Sequence, residues 1–571
     1  MAQTSCGTNK SGSLNPVASS GCCSKTTTFL LKYFSFAIVI YLWVNIVNYL
    51  AQNRVEVYGL QKYLPEQLLN TYLRSHNLDQ LYEKIVLTEQ EENDLIREYG
   101  ELEYNIKAAQ DCAIGVGYTT CMDIGFRATD LIKKLDSHIQ KLGGAKAFQE
   151  PKVHSEIKDL KSFISTFLYY FSRGANAERS ADSTEFFNFL VEMVQEIDAE
   201  TGKTTINFSP EIGGHSSVWA LRAQKEGCKA FIAAQSSQFN HKALNYTKEH
   251  SEKYLVWPHQ AINDRLGKDI VDSELDVHLV FEYQEGDEIL GFKAPRSNRF
   301  YFVNDPNGAS LKQMDVYHDI IKSHPNIKRH LFGGYQLMQK LDDLTLKERL
   351  ERQEHLWKEM KAIDPSHMIH VEFAHFSNLK FFQLFEKHVV RHADSLGMNE
   401  QELIMLLELW ENKLVDINLA RDSKPTIEEI LSQLKQFFEL ASQQNLPVSR
   451  VHLHPYGSFI MCYDTTKWED AREAIIKSAM ATPKFCKMTD KLLEEHLENY
   501  DVPERPREFT NPGKNGEVIQ VERNNLTYKF ELGENIQCYL QFFLKCRTLI
   551  KTAGLGDTIS STGFIYHKPK Q

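Results

Sequence analysis

Six short apolar runs, Cys112–Tyr118, Lys229–Ala233, His278–Glu282, Phe300–Val303, Met368–Glu372 and Val451–His454, punctuate this chain, and several of the stretches between them carry apolar residues at helical spacing. The first run ends in Gly117-Tyr118, as expected of a buried strand leaving a sheet. Strands that alternate with helices predict an α/β fold with a largely parallel sheet, and such sheets gather their ligands at the carboxyl ends of the strands. Asp123, Glu372 and His454 fall at or just past such ends, which makes them the first candidate site residues. Glu66 to Lys107, ahead of the first run, reads as helices.

With 571 residues, 42% hydrophobic and 25% charged, the chain can bury a large core. No repeat, Gly/Ser linker or Pro-rich tract divides it into unrelated parts. A net charge of -11 argues against nucleic acid as the main partner, because phosphate-backbone binding needs a basic face.

One segment differs in kind. From Tyr33 to Asn53 no charged residue occurs, a length that can cross a hydrocarbon core. Lys10, Lys25 and Lys32 precede it and no acidic residue appears before Glu56. The positive-inside rule therefore leaves residues 1–32 as a cytoplasmic tail and sends the rest across. We read 33–53 as a signal anchor, with a cleaved signal peptide as the alternative, and 54–108 as a helical segment. Cys22-Cys23 beside the span are candidates for acylation or remain plain thiols. The cysteines beyond it match no zinc spacing and leave room for one or two disulfides in an oxidising lumen. Sequons at Asn207, Asn245 and Asn525 suit that side of a membrane.

The sharpest local motif lies near the carboxyl end, at Gly554-Leu555-Gly556-Asp557-Thr558. Its glycines let backbone N–H groups converge at a helix start, where the helix dipole favours a phosphate or a developing negative charge. Asp557 would then stand beside that charge as a general base. A loop closed by glycines and capped by Asp is the plainer reading of the same residues.

Nine segments in order turn these pieces into a set. They are Val116-Gly117-Tyr118-Thr119-Thr120-Cys121-Met122-Asp123, Arg173-Gly174-Ala175-Asn176-Ala177-Glu178, Ile212-Gly213-Gly214, Val277 to Tyr283, Ala294-Pro295-Arg296-Ser297-Asn298-Arg299-Phe300, His370-Val371-Glu372-Phe373-Ala374, Leu396-Gly397-Met398-Asn399-Glu400-Gln401-Glu402, Val451-His452-Leu453-His454 and the terminal Gly-Leu-Gly-Asp-Thr. With these the chain resembles the ADP-dependent glucokinases, sugar kinases of the ribokinase-like superfamily, from about Cys112 to the end. The resemblance implies a three-layer αβα large domain within 109–571, and a smaller lid built from insertions at roughly 165–212 and 272–305.

It also implies roles. Asp123, Glu178, Gly213, Gly214 and His278 match the sugar-binding positions, and His215 stands where the family has Asn or Gln. Imidazole still donates and accepts, with a different reach and titration. Arg299 matches the arginine that reaches the nucleotide phosphates, to which its planar fork is suited. His454, Gly554, Leu555 and Gly556 complete the nucleotide set, with the adenine pocket near His452 to Tyr456. Glu372, Asn399, Glu402 and Asp557 match the Mg²⁺ set, sparse enough for an ion that keeps several waters. Asp557 and Arg299 carry the chemistry. Without the resemblance, Asp123 and Asn399-x-x-Glu402 read as helix caps, Glu178 as a solvated charge and Arg299 as half of a surface ion pair. The implied reaction is phosphorylation of glucose by ADP, with Mg²⁺, in a monomer of the endoplasmic reticulum membrane or lumen, secreted if the leader is cleaved. A kinase with another donor or acceptor, and a noncatalytic membrane-anchored sugar-binding protein, are the alternatives.

Overall fold

The computed structural model describes residues 84–570, apart from 86, 110–111, 200, 233–254, 257–275, 306–307, 312, 323, 416–424, 456, 484–499, 514–515 and 547–553. The predicted span at 33–53 lies outside the described residues, and no helix among those described is long and apolar enough to cross a membrane. Within the predicted 54–108 segment, the described part holds the helix Glu89–Asn105, started by a capping box between Thr88 and Glu91.

Two sheets organise the chain. The larger has ten strands in the order Thr527–Gly533, Ile536–Phe542, Ser458–Asp464, Arg450–Leu453, Ser395–Met398, Met368–Glu372, Arg329–Phe332, Ala113–Gly117, Lys229–Ile232 and Leu255–Val256. From Arg450–Leu453 to Leu255–Val256 every pairing is parallel. The three strands beyond it join as antiparallel neighbours. This is the α/β sheet that the alternating runs predict, with an antiparallel extension at one edge.

The smaller sheet runs Ala177–Ser180, Asn298–Asn304, Val277–Tyr283, Cys121–Arg127 and Phe208–Gly213. Two of the six runs, at 278–282 and 300–303, belong here and pair antiparallel with each other, not in the parallel sheet where the sequence places them. Asp123, just past the exit of the large-sheet strand Ala113–Gly117, is inside a strand of this sheet and does not cap a helix. The misassignment has a physical cause. Val277–Tyr283 is buried along most of its length, as are three of the four residues of the run 300–303, so their hydrophobicity matches that of large-sheet strands, while pairing partners are set by long-range contacts. The small layer also takes in residues from Cys121 onward, ahead of the insertion expected at 165.

Period-two alternation gives this lid sheet two unlike faces. Ile124, Phe126, Leu279, Phe281, Phe300 and Phe302 join the lid's own core. On the same strands Cys121, Asp123, Glu178, His278, Arg299 and Tyr301 line the cleft opposite. The apolar face is covered by the helix Leu160–Phe171, whose Asp159 cap accepts from Ser162 N at 2.8 Å. Phe163 and Phe167 project from it four residues apart onto the sheet. Phe163 lies 5.1 Å from Phe281 and 5.0 Å from Phe302, and Phe167 lies 5.7 Å from Phe300, between ring centroids. Phe163→Ala should therefore cost about 3–5 kcal/mol of lid stability, read by denaturant unfolding with a probe on the lid. A loss under about 1 kcal/mol would show that this ring does not hold the layer.

Candidate active site

Of the four passages of the chain between the two sheets, the first two touch each other. The chain leaves the large sheet through Tyr118 to Thr120 and returns through Gly213-Gly214. The Thr119 carbonyl accepts from Ser216 Oγ at 2.7 Å and from Ser216 N at 3.2 Å, tying the outgoing strand to the helix His215–Lys225. Gly214 caps that helix with φ +83°, and a Cβ there would lie 2.6 Å from the Thr119 oxygen, so both conformation and space require glycine. A side chain on Gly213 would likewise strike the Asp123 carboxylate.

One cleft of about 680 Å³ runs between the layers. Of the residues picked from sequence, Asp123, Glu178, Gly214, His215, His278, Arg299, Glu372, Asn399, Glu402, His454, Gly554, Leu555, Gly556 and Asp557 all line it; Gly213 stands behind Asp123 instead. The lid supplies the sugar-type carboxylates. Parallel register sets Asp123 beside His278, whose Nδ1 is 3.4 Å from Asp123 Oδ1 and whose Nε2 is 2.8 Å from Asp305 Oδ1. Burial alone would lower the His278 pKa, yet Asp305 and its other neighbours raise it well above the ordinary value, favouring the charged ring between two carboxylates. Burial raises the Glu178 carboxyl, which accepts from Gln336 Nε2 at 3.3 Å. Arg299 lies with its guanidinium carbon 5.5 Å from the Tyr301 ring centre. Its buried Nε has no acceptor among the described residues, a donor suited to a phosphate oxygen.

The large sheet supplies the opposing wall from its strand ends. Glu372 closes the strand Met368–Glu372 and accepts from His454 Nε2 at 2.9 Å. Burial pushes this carboxyl up, but the hydrogen bonds from His370 and His454 outweigh it and hold it at about 2. Asn399 and Glu402 form the capping box of the helix Glu400–Trp410: Asn399 Oδ1 accepts from Glu402 N at 3.0 Å, and Glu402 Oε2 accepts from Asn399 N at 2.9 Å. The plain capping reading of this pair is thus realised alongside its place in the cleft. Burial raises Glu402 to about 7. A hard cation against it would offset that burial, so the oxygen donors of Glu372 and Glu402 fit Mg²⁺ with water in the remaining positions.

Gly554, at φ +71°, caps the helix Leu555–Tyr566, and Asp557 is in its first turn. That helix is buried, and two of its hydroxyls are satisfied by its own carbonyls, Thr562 Oγ1 donating to Thr558 O at 2.6 Å and Ser561 Oγ to Asp557 O at 2.7 Å. Burial raises the Asp557 pKa, while His215 and Arg299 act against the rise. His215 Nε2 is 3.6 Å from Asp557 Oδ1, so the residue that replaces the family's amide is beside the candidate base.

Asp305 and Cys121 on the lid side, and Gln336 facing them from the large-sheet side, escaped sequence reasoning. Asp305 just follows the matched strand, a weak signal; Gln336 lies in a short 3-10 turn, Tyr335–Lys340, with none. At the other end Phe459 and Phe543 stack with centroids 4.9 Å apart, near Met405 and Pro455. Of the stretch His452 to Tyr456, where the adenine pocket is expected, His454 and Pro455 line the cleft, His452 is fully buried with Gly563 packed against its ring, and Tyr456 lies outside the described residues.

Comparison with known proteins agrees with this geometry. The family described as "ADP-specific Phosphofructokinase/Glucokinase conserved region" matches residues 112–566. A probable ADP-dependent glucokinase of Caenorhabditis elegans is 25% identical over 438 residues, 73% of this chain and 79% of its own. The ADP-dependent glucokinase of Bos taurus is 22% identical over 471 residues, 79% of this chain and 84% of its own. A solved ADP-dependent kinase in complex with fructose-6-phosphate and ADPβS superposes with a TM-score of 0.58 at 17% identity, over 84% of this chain and 98% of that one, which establishes the shared fold. The chain belongs to the ADP-specific phosphofructokinase/glucokinase family.

Proposed function

We propose that the protein transfers the β-phosphoryl group of ADP to the 6-hydroxyl of D-glucose, releasing AMP and glucose 6-phosphate. The observation that carries this reading is the pairing, across one cleft, of a polar lid face with Asp557 at a glycine-capped helix start. Within a family that includes both sugar and sugar-phosphate kinases, the acceptor side decides the substrate. Asp123, Glu178 and Asp305 put three carboxylates around it, a setting that accepts hydrogen bonds from neutral hydroxyls and repels a second phosphate.

In this mechanism Asp123, Glu178 and His278 hold the sugar hydroxyls. Asp557 takes the proton of the 6-hydroxyl as that oxygen bonds to the β-phosphorus, and the bond from the β-phosphorus to the bridging oxygen breaks, leaving its electron pair on AMP. Arg299 and the first-turn amides after Gly554 face the charge on the transferred group. Mg²⁺ held by Glu372 and Glu402 would supply further charge neutralisation at the phosphates. His215 opposes protonation of the base, and the stacked Phe459 and Phe543 offer the adenine a flat apolar end. Closure of the lid excludes water that would otherwise accept the phosphoryl group.

We further propose a monomer anchored through 33–53 with its catalytic domain in the lumen of the endoplasmic reticulum. One chain lines the whole cleft. Disulfides join Cys112 to Cys228 and Cys462 to Cys538, bonds that persist in oxidising compartments, and the sequon residue Asn207 is exposed.

Purified protein given ADP, Mg²⁺ and glucose should form AMP and glucose 6-phosphate one for one. Absence of AMP with every hexose tried would refute the kinase reading. Asp557→Asn should lower kcat by about 10²–10⁴-fold with glucose affinity kept within a few-fold, by calorimetry. Because the base works only deprotonated and its pKa is raised, kcat/KM should fall as pH drops through a midpoint above the ordinary Asp value of 3.8; a midpoint at or below that value would assign the base elsewhere. In intact microsomes the domain should resist added protease and carry a glycan on Asn207, whereas full digestion would place it on the cytoplasmic side.

A further inference from the structure

The lid face contains a thiol that the sugar chemistry does not use. Cys121 and Asp123, two residues apart on one strand, share its cleft side with His278 on the neighbouring strand. Cys121 Sγ lies 3.4 Å from Asp123 Oδ1 and 3.4 Å from His278 Nδ1, and those two atoms are themselves 3.4 Å apart. Such an equilateral triangle has a specific meaning. With Zn–N and Zn–O near 2.0–2.2 Å and Zn–S near 2.3 Å, neighbouring ligands of a tetrahedral Zn²⁺ stand roughly 3.3–3.6 Å apart. The three separations match one face of that tetrahedron, and since all three residues line the cleft, water could take the fourth corner.

A second feature is independent of the first. The far nitrogen of His278, Nε2, is 2.8 Å from Asp305 Oδ1, and Asp305 Oδ2 is buried without a partner among the described residues. A carboxylate on the distal nitrogen of a ligating histidine fixes the tautomer that turns the other nitrogen's lone pair toward a metal. A soft sulfur ligand selects Zn²⁺ over the hard Mg²⁺ suited to the oxygen donors Glu372 and Glu402.

We propose that Cys121, Asp123 and His278 form a binding site for a thiophilic divalent cation, Zn²⁺, that competes with the sugar and switches the enzyme off. The competition rests on the sugar-site reading above, since the cation takes Asp123 and His278 from the hydroxyls they would hold.

The test uses the full chain with Co²⁺ as a spectroscopic probe for Zn²⁺. Wild type should bind one Co²⁺ with a thiolate-to-metal charge-transfer band that excess Zn²⁺ abolishes. Cys121→Ser should lose the band. Asp305→Asn, which keeps all three ligands, should keep the band but weaken Co²⁺ binding about 10–100-fold. Glucose should raise the apparent Kd for Co²⁺ in proportion to its concentration. A wild-type protein without the band, or a band that survives in Cys121→Ser, would overturn the site. Glucose that binds by calorimetry yet leaves the Co²⁺ affinity unchanged would overturn the competition. The band needs no turnover, so a protein that shows it but makes no AMP would support the metal site while refuting the kinase reading.

Discussion

Everything in the cleft depends on one tie, the Thr119 carbonyl against the start of the helix His215–Lys225. The first exit of the chain from the large sheet and its first return meet at this place. A shift of either strand would move both walls together: Asp123 lies four residues beyond Thr119, and His215, which faces Asp557, lies one before Ser216. Gly334, on a third connection, also packs so closely on Thr119 that a side chain there would collide with it. Glycines at 214 and 334 let three backbone segments converge where side chains would hold them apart, and this is how a lid strand and a catalytic helix share one frame.

On that frame the lid sheet separates stability from chemistry by its pleat alone. Phenylalanines on one side hold the layer together, while the intervening residues present carboxylates, a histidine and an arginine to the cleft. A one-residue slip in register would bury the charges and expose the rings, so the packing of the aromatic face also fixes the chemistry of the other. The buried charges are balanced locally. His278 lies between Asp123 and Asp305, and Glu372 is held ionised by His370 and His454. Glu178, Glu402 and Asp557, whose pKa values burial raises, are acidic groups of the cleft whose charge gains from a cation or a substrate nearby.

Much of this was legible from residues alone, and the parts that were not have common causes. The alternation of apolar runs with helical stretches gave the α/β class, and the ordered motifs gave the family. Gly554 to Asp557 read as a glycine-started helix, and the helix is there. The runs at 278–282 and 300–303 join the smaller sheet instead, because hydrophobicity carries no record of which sheet a strand joins. His215 was read as a sugar contact from its neighbour Gly214, whereas its distance to Asp557 follows from a helix contact across more than 300 residues of chain. Asp305 and Gln336 act through His278 and Glu178, and partners of partners leave no local spacing to read.

The central claim is that the lid's polar face and Asp557 hold the two ends of one sugar. A crystal structure of Asp557→Asn with glucose, Mg²⁺ and a nonhydrolysable ADP analogue tests it most directly. The account predicts the sugar's 6-hydroxyl within hydrogen-bond reach of position 557, about 2.6–3.2 Å, with the ring hydroxyls on Asp123, Glu178 and His278. A sugar bound with its 6-hydroxyl turned away from that helix start, or held on residues outside the lid sheet, would contradict it.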